Sequence, residues 1–193
     1  MLQGVVPFPA EYAAMCRSKG YWRDQSLAQE FAAVFAKYAN RVAIIDRGQS
    51  YTYRQIDEVS ERLALNLLSL GLKPLDPVVL QLPNVVEFVF LYFALQKIGA
   101  IPIAALSTHR HTEVSQFVSI SRATTCVYPE SQGDFAFGPM VKRIADESAS
   151  LKERVARTAP TNSASIEWVF LAAMSHASRI SPRGVSMTPQ APN

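Results

Sequence analysis

The stretch that invites chemistry lies between Ser175 and Thr188, which reads SHASRISPRGVSMT. Its hydroxyls, Ser175, Ser178, Ser181 and Thr188, stand among the guanidinium groups of Arg179 and Arg183. Hydroxyl donors beside fixed cations are the side-chain set that holds a phosphate. A phosphate cradle also needs backbone amides at close approach, and glycine permits this because it has no Cβ and tolerates positive φ. No glycine stands between Ser175 and Arg183. Each L-residue driven into left-handed geometry loses about 1–2 kcal/mol. Cationic attraction remains without a shaped cradle, and a solvated basic turn accounts for the segment equally well.

A second polar cluster, His109, Arg110 and His111, follows an apolar run. It falls where α/β folds place ligands, at the ends of buried strands. A histidine there can orient a carboxylate; the simpler reading is a loop that caps the following helix. His176, inside the serine-rich stretch, reads as a replacement in the loop. No Ser-His-Asp spacing, metal-ligand spacing or carboxylate pair suited to acid–base work is present.

These residues need a scaffold, and the pattern upstream supplies one. Leu27, Phe31, Phe35 and Tyr38 recur at helical spacing after a Ser26/Gln29 capping box. Strands are expected at Arg41–Asp46 and Ser50–Tyr53 around a turn using Gly48. Ile56, Val59, Leu63, Leu67 and Leu70 draw one apolar stripe, opened by Thr52/Gln55 and stopped by Gly71. Buried strands then alternate with helices. Asp76–Asn84 leads into a helix capped by Asn84 with Glu87 and ended by Gly99. Ala100–Leu106 is a strand, Thr112–Ser121 a helix and Thr124–Pro129 a strand. Residues 134–155 can supply one more helix, through Met140 and Ile144, and a final short strand. The aromatic run Phe88, Phe90, Tyr92 and Phe93 reads as core, and Tyr21 with Trp22 as the anchor of an N-terminal extension on the domain surface. Strand–helix alternation of this length implies a mostly parallel sheet flanked by helices, hence an α/β fold. The expected organisation is an α/β unit over 1–155, a linker over 156–165, a strand plus the serine-rich loop over 166–188, and a disordered tail over 189–193.

Composition narrows the function classes. Hydrophobic residues make up 49% of 193 residues, enough for a core, and the +3 formal charge is dispersed without a basic stripe, so nucleic acid is set aside. The N-terminus lacks the basic start and apolar run of a signal peptide, and the most apolar stretch, residues 78–106, is interrupted by charged residues and prolines. Neither membrane insertion nor secretion is expected. Cys16 and Cys126 read as two reduced thiols in a cytoplasmic protein.

The segments PFPAEYAAMCRSKGYWRDQSL, SYTYRQIDEVSERLALNLLSLGL, VVLQLPNVVEFVFLYFALQKIGAIPIAAL, THRHTEVSQFVSISRA and DFAFGPMVKRI together resemble the N-terminal part of the adenylate-forming ligases. The first and fourth resemble most the aryl-acid branch, the 2,3-dihydroxybenzoate– or salicylate–AMP ligases of siderophore assembly. The resemblance implies the N-terminal subdomain of an acyl-CoA synthetase-like fold. It also implies a two-step reaction: an aromatic carboxylate attacks the α-phosphorus of ATP and releases pyrophosphate, and the acyl group then passes to a thiol on an aryl carrier protein. ATP and Mg²⁺ are the implied cofactors. The family's phosphate loop, Ser-Gly-Gly-Thr-Thr-Gly-x-Pro-Lys, falls on Ser175 to Arg183, with Pro182 kept, Ser178 standing for a threonine, Arg183 for the lysine, and all the glycines replaced. The family's acid pocket, adenine- and ribose-binding residues and C-terminal domain have no counterpart in this sequence. The expectation is therefore a partial aryl-acid AMP ligase, inactive by itself. Two alternatives stand beside it: a non-catalytic interaction module that keeps the fold to bind a partner such as a carrier protein or the remainder of the enzyme, with an apolar sheet face exposed or covered by self-association where it packs against absent sequence, and a fragment of an acyl-CoA synthetase of other specificity.

Overall fold

A computed structural model describes residues 6–151 and 155–158. Helix α1 spans Ala10–Ser18 and α2 Leu27–Lys37, the latter opened by the Ser26/Gln29 capping box in both directions. Strands β1 (Val42–Asp46) and β2 (Gln49–Thr52) form an antiparallel hairpin. Its two-residue turn places both Arg47 (φ 50°) and Gly48 (φ 79°) in the left-handed region, the geometry that matches the twist of paired strands. Helix α3 (Tyr53–Ser69) starts at the expected Thr52/Gln55 box.

A four-stranded sheet follows, built from β3 (Pro77–Leu80), β4 (Ile101–Ala104), β5 (Thr125–Pro129) and β8 (Val155–Thr158), in the order β4-β3-β5-β8 with every pairing parallel. The crossovers are α4 (Val86–Ile98), α5 (His111–Ser121) and α6 (Phe137–Glu147). A small hairpin, β6 (Ser131–Gln132) with β7 (Phe135–Ala136), precedes α6. The α/β class and the parallel sheet are as the sequence implies.

Strand alternation sends successive side chains to opposite faces, and both faces are covered. Val78, Leu80 and Val127 pack with α2, α3 and α4, where Phe90 is fully buried and Phe93 meets Phe31 and Phe35 edge-on. Val79, Cys126 and Tyr128 pack with α5 and α6 through Val114, Val118, Phe137, Val141 and Ile144. The exposed apolar sheet face anticipated for a self-associating module is therefore not found among the described residues, because α5 and α6 close one side and α3 and α4 the other.

Several sequence expectations need correction. Asn84 does not cap α4: the N-cap is Val85, without a side-chain cap, and the first helical amide, Val86 N–H, is taken by Asp46 Oδ2 at 3.2 Å from the β1–β2 hairpin. Helix α1 was not anticipated; Pro9 is its N-cap, and a proline directly before or at a helix start removes only an amide that would lack a partner there. Tyr21 is exposed and anchors nothing. Trp22 packs on Phe8 and Tyr12 of its own segment, with Arg17 over its ring. Helix α5 begins one residue earlier than Thr112. Strand β8 runs across the boundary drawn at 155, so residues 156–158 belong with the sheet.

Candidate functional site at the carboxyl edge of the sheet

In a parallel sheet the loops that follow the strands gather at one edge, where binding groups of α/β proteins converge. Here the loops after β3, β4 and β5 are tied together there. Gln81, directly after β3, is wholly buried. Its Nε2 donates to the carbonyls of Leu106 (3.1 Å) and His109 (2.8 Å), so that one amide holds the turn after β4. Its Oε1 is buried without a hydrogen-bond partner among the described residues.

The His109–His111 cluster is real, but its members do three different jobs. His109 Nδ1 accepts from Leu106 N–H at 3.2 Å, and its ring meets Phe117 edge-on. Arg110 donates to the carbonyls of Ser107 and His109 and lays its guanidinium 4.0 Å over the Phe135 ring, joining the β4–α5 loop to the β6–β7 hairpin. His111 Nε2 lies 2.9 Å from Glu147 at the end of α6. Glu113 accepts from Arg110 N–H at 2.9 Å, and this bond, first among its causes, holds the Glu113 carboxyl below its ordinary range. The Arg143 guanidinium, 2.8 Å away, does the same for Glu147. The cluster is thus a helix start and a loop clasp, as the simpler reading has it.

The β3–α4 turn is held from a distance. Arg47 bridges Asp46 and Glu87, with both carboxylates 2.8–2.9 Å from its Nη2, and the hydrogen bond to Glu87 is the largest cause raising its pKa. Between α5 and α6 runs an open cleft of about 550 Å³, floored by Val118 and Ile144 and rimmed by Ser115, Ser119 and Ser148.

Ser175, Ser178, Ser181, Arg183 and Thr188 lie outside the described residues, as do His176, the expected strand Ile166–Ser175 and the tail 189–193. The residues that the resemblance assigns to the phosphates of ATP are in that set. Among the described residues no three His, Cys, Asp or Glu side chains form a metal-holding group, and the edge cations are already engaged with carbonyls, carboxylates or rings. Gln81 is the residue that sequence reasoning passed over; the signal was present as the one polar side chain within VVLQL.

Comparison with known proteins agrees with this geometry. Residues 31–183 match the model of the family described as AMP-binding enzyme. The 2,3-dihydroxybenzoate-AMP ligase of Bacillus subtilis is 33% identical over 152 residues, covering 79% of this chain and 28% of that protein. The salicyl-AMP ligase / salicyl-S-ArCP synthetase of Mycobacterium tuberculosis is 35% identical over 156 residues, covering 78% of this chain and 28% of its own length. The apo structure of Mycobacterium smegmatis MbtA superposes with a TM-score of 0.74 at 28% identity, over 95% of this chain and 33% of that one. The chain thus spans little more than a quarter of the length of these curated relatives. With a sheet of this order, its strand-end loops tied at one edge, and a family match over most of its residues, the chain belongs to the AMP-binding, adenylate-forming enzymes.

Proposed function

We propose that this chain is the N-terminal α/β portion of an aryl-acid AMP ligase and that it does not complete the adenylation reaction by itself. The observation that carries this reading is coverage: the similarity is family-wide over the parallel-sheet unit, yet it extends over only 28% of the Bacillus subtilis ligase. In the family reaction a carboxylate oxygen of 2,3-dihydroxybenzoate or salicylate bonds to the α-phosphorus of ATP, and the bond to pyrophosphate breaks. A carrier-protein thiol then attacks the acyl carbon and AMP leaves. Mg²⁺ would neutralise phosphate charge during the first step. In this chain Ser175, Ser178, Ser181, Arg183 and Thr188 are the residues that the resemblance to the family's loop assigns to the phosphates. Replacing the loop's glycines would weaken that contact: where the nucleotide-bound form requires left-handed geometry at all three positions, a loss of about 1–2 kcal/mol at each removes several kcal/mol of affinity. A cytoplasmic location and an aryl carrier protein as partner belong to the same reading. No helix among the described residues is long and apolar enough to cross a membrane.

ATP–pyrophosphate exchange with each aryl acid tests the proposal. The expected result is exchange no faster than the enzyme-free control, and robust turnover by the purified chain overturns it. Isothermal titration with ATP is the companion measurement: micromolar binding contradicts the damaged-loop argument, and absence of heat supports it.

A further inference from the structure

Arg110 uses only part of its guanidinium on the loop clasp. A guanidinium carries five N–H donors in one plane, two on each terminal nitrogen and one on Nε. Both Nη1 donors are taken, by the carbonyls of Ser107 and His109 at 2.9 Å each. The plane lies over the Phe135 ring, 4.0 Å from its centre, with the Phe137 ring 5.9 Å away. Nε and Nη2 have no hydrogen-bond partner among the described residues. Glu113, the acid nearest in sequence, accepts from the Arg110 main-chain N–H and not from the guanidinium.

We infer that the Nε/Nη2 flank of Arg110 is a binding site for an oxyanion that offers two oxygens side by side, a carboxylate or a phosphate. Those two nitrogens donate in parallel, the fork that matches such a pair of oxygens. The flank is also held ready, unlike that of an ordinary surface arginine. The His109 carbonyl that fixes Nη1 accepts in addition from Nε2 of the wholly buried Gln81, at 2.8 Å, so the anchor is tied to the end of β3. Two acceptors on one nitrogen and a ring under the plane leave the guanidinium little freedom to turn. The ordering that a bound anion would otherwise impose is thus already present in the folded chain. The place suits a ligand, because the loop after β4 leaves the carboxyl edge of a parallel sheet. Arg110 is exposed, so an anion has access and water competes with it; the affinity is accordingly weak and salt-sensitive. The inference rests on the geometry of the clasp, so it stands or falls apart from the pyrophosphate-exchange assay.

Side-chain proton–nitrogen NMR of the labelled full chain at low salt tests it. The Arg110 Nε–H signal is followed through titrations with inorganic phosphate and with acetate, against sodium chloride at matched ionic strength. The expected result is a saturable shift with at least one oxyanion, half-complete at about 1–20 mM, and only a linear drift with chloride. Saturation by phosphate alone assigns a phosphate ligand, and saturation by acetate alone a carboxylate. Arg110→Lys keeps the charge and loses the fork; followed through the amides of residues 107–113, its affinity should fall at least fivefold. A linear response to both oxyanions, an equal response to chloride, or saturation elsewhere in the chain with the Arg110 signal unmoved overturns the inference. So does unchanged affinity in Arg110→Lys. If that variant fails to fold, the wild-type titrations decide alone.

Discussion

Two strand-to-helix turns leave the same edge of the sheet and are secured by different chemistry. The turn from β3 into α4 has no cap of its own; Asp46, from a hairpin 40 residues earlier, supplies the acceptor for Val86 N–H, and Arg47 clamps Glu87 beside it. The turn from β4 into α5 is held locally: Glu113 folds back on Arg110 N–H, Gln81 grips two carbonyls from below, and Arg110 lies on Phe135. The first turn is fastened by exposed and half-buried charges, the second by a buried amide. Water competes for the Arg47 clamp and for the Glu113 bond far more than for the amide of the wholly buried Gln81, so hydrogen bonds at the two turns should carry unequal weight.

Truncating the buried amide gives the sharpest test of that contrast. Gln81→Ala removes one of the two donors from each of the Leu106 and His109 carbonyls, which keep His109 N–H and Arg110 Nη1 respectively, and opens a void under the loop, for an expected loss of about 2–4 kcal/mol in urea unfolding. A loss under 1 kcal/mol would erase the distinction between the turns. At the other turn, Asp46→Ala removes a cap acceptor and one partner of Arg47, and about 1–2 kcal/mol should be lost, with Asp46→Asn recovering part of it. If Asp46→Ala proves costlier than Gln81→Ala, the charged fastening is the stronger one. Arg110→Ala should cost about 1 kcal/mol, chiefly the contact with the Phe135 ring; a double-mutant cycle with Phe135→Leu isolates that share, and a zero coupling energy would assign the loss to the carbonyl bonds.

The smallest effect is the dependence on acidity. Glu113 and Glu147 both have carboxyls held below their ordinary range in the folded chain, by Arg110 N–H and by Arg143 respectively. A depressed folded-state pKa contributes stability above the unfolded value of about 4.3, and that contribution is lost as the pH falls through the folded value. Carbon-13 titration of the side-chain carboxyls should therefore give midpoints for Glu113 and Glu147 below the unfolded value of about 4.3. Glu113→Gln should flatten the fall in stability only on the acid side, with no change near neutrality in the slope against pH.

Local signals were legible in the sequence and distant ones were not. The Ser26/Gln29 and Thr52/Gln55 boxes, the αL stop at Gly99 and the parallel sheet follow from residues within a turn or a strand of one another. Asn84 misled because the acceptor for α4 comes from Asp46, across the fold, and no local pattern encodes that arrival. Helix α1 was hidden by prolines that flank it and by a weakly two-sided sequence, AEYAAMCRS, that offers little periodicity to read. Gln81 was concealed by its company: one amide in an apolar strand looks incidental until the carbonyls that it serves are placed above it. The serines that the resemblance assigns to phosphate contact fall outside the described residues, so the family pattern is their one source.

The burial of Cys126 has a practical corollary. Pressed into the centre of β5 under α5 and α6, its thiol is pushed up to about 12 and is shielded from reagents as long as those helices stay seated. The speed at which iodoacetamide alkylates that sulfur consequently times how often this layer lifts away, while Cys16 on α1 keeps a separate clock for the amino-terminal segment. One unmodified chain thus carries two built-in stopwatches, and neither requires a label to be engineered.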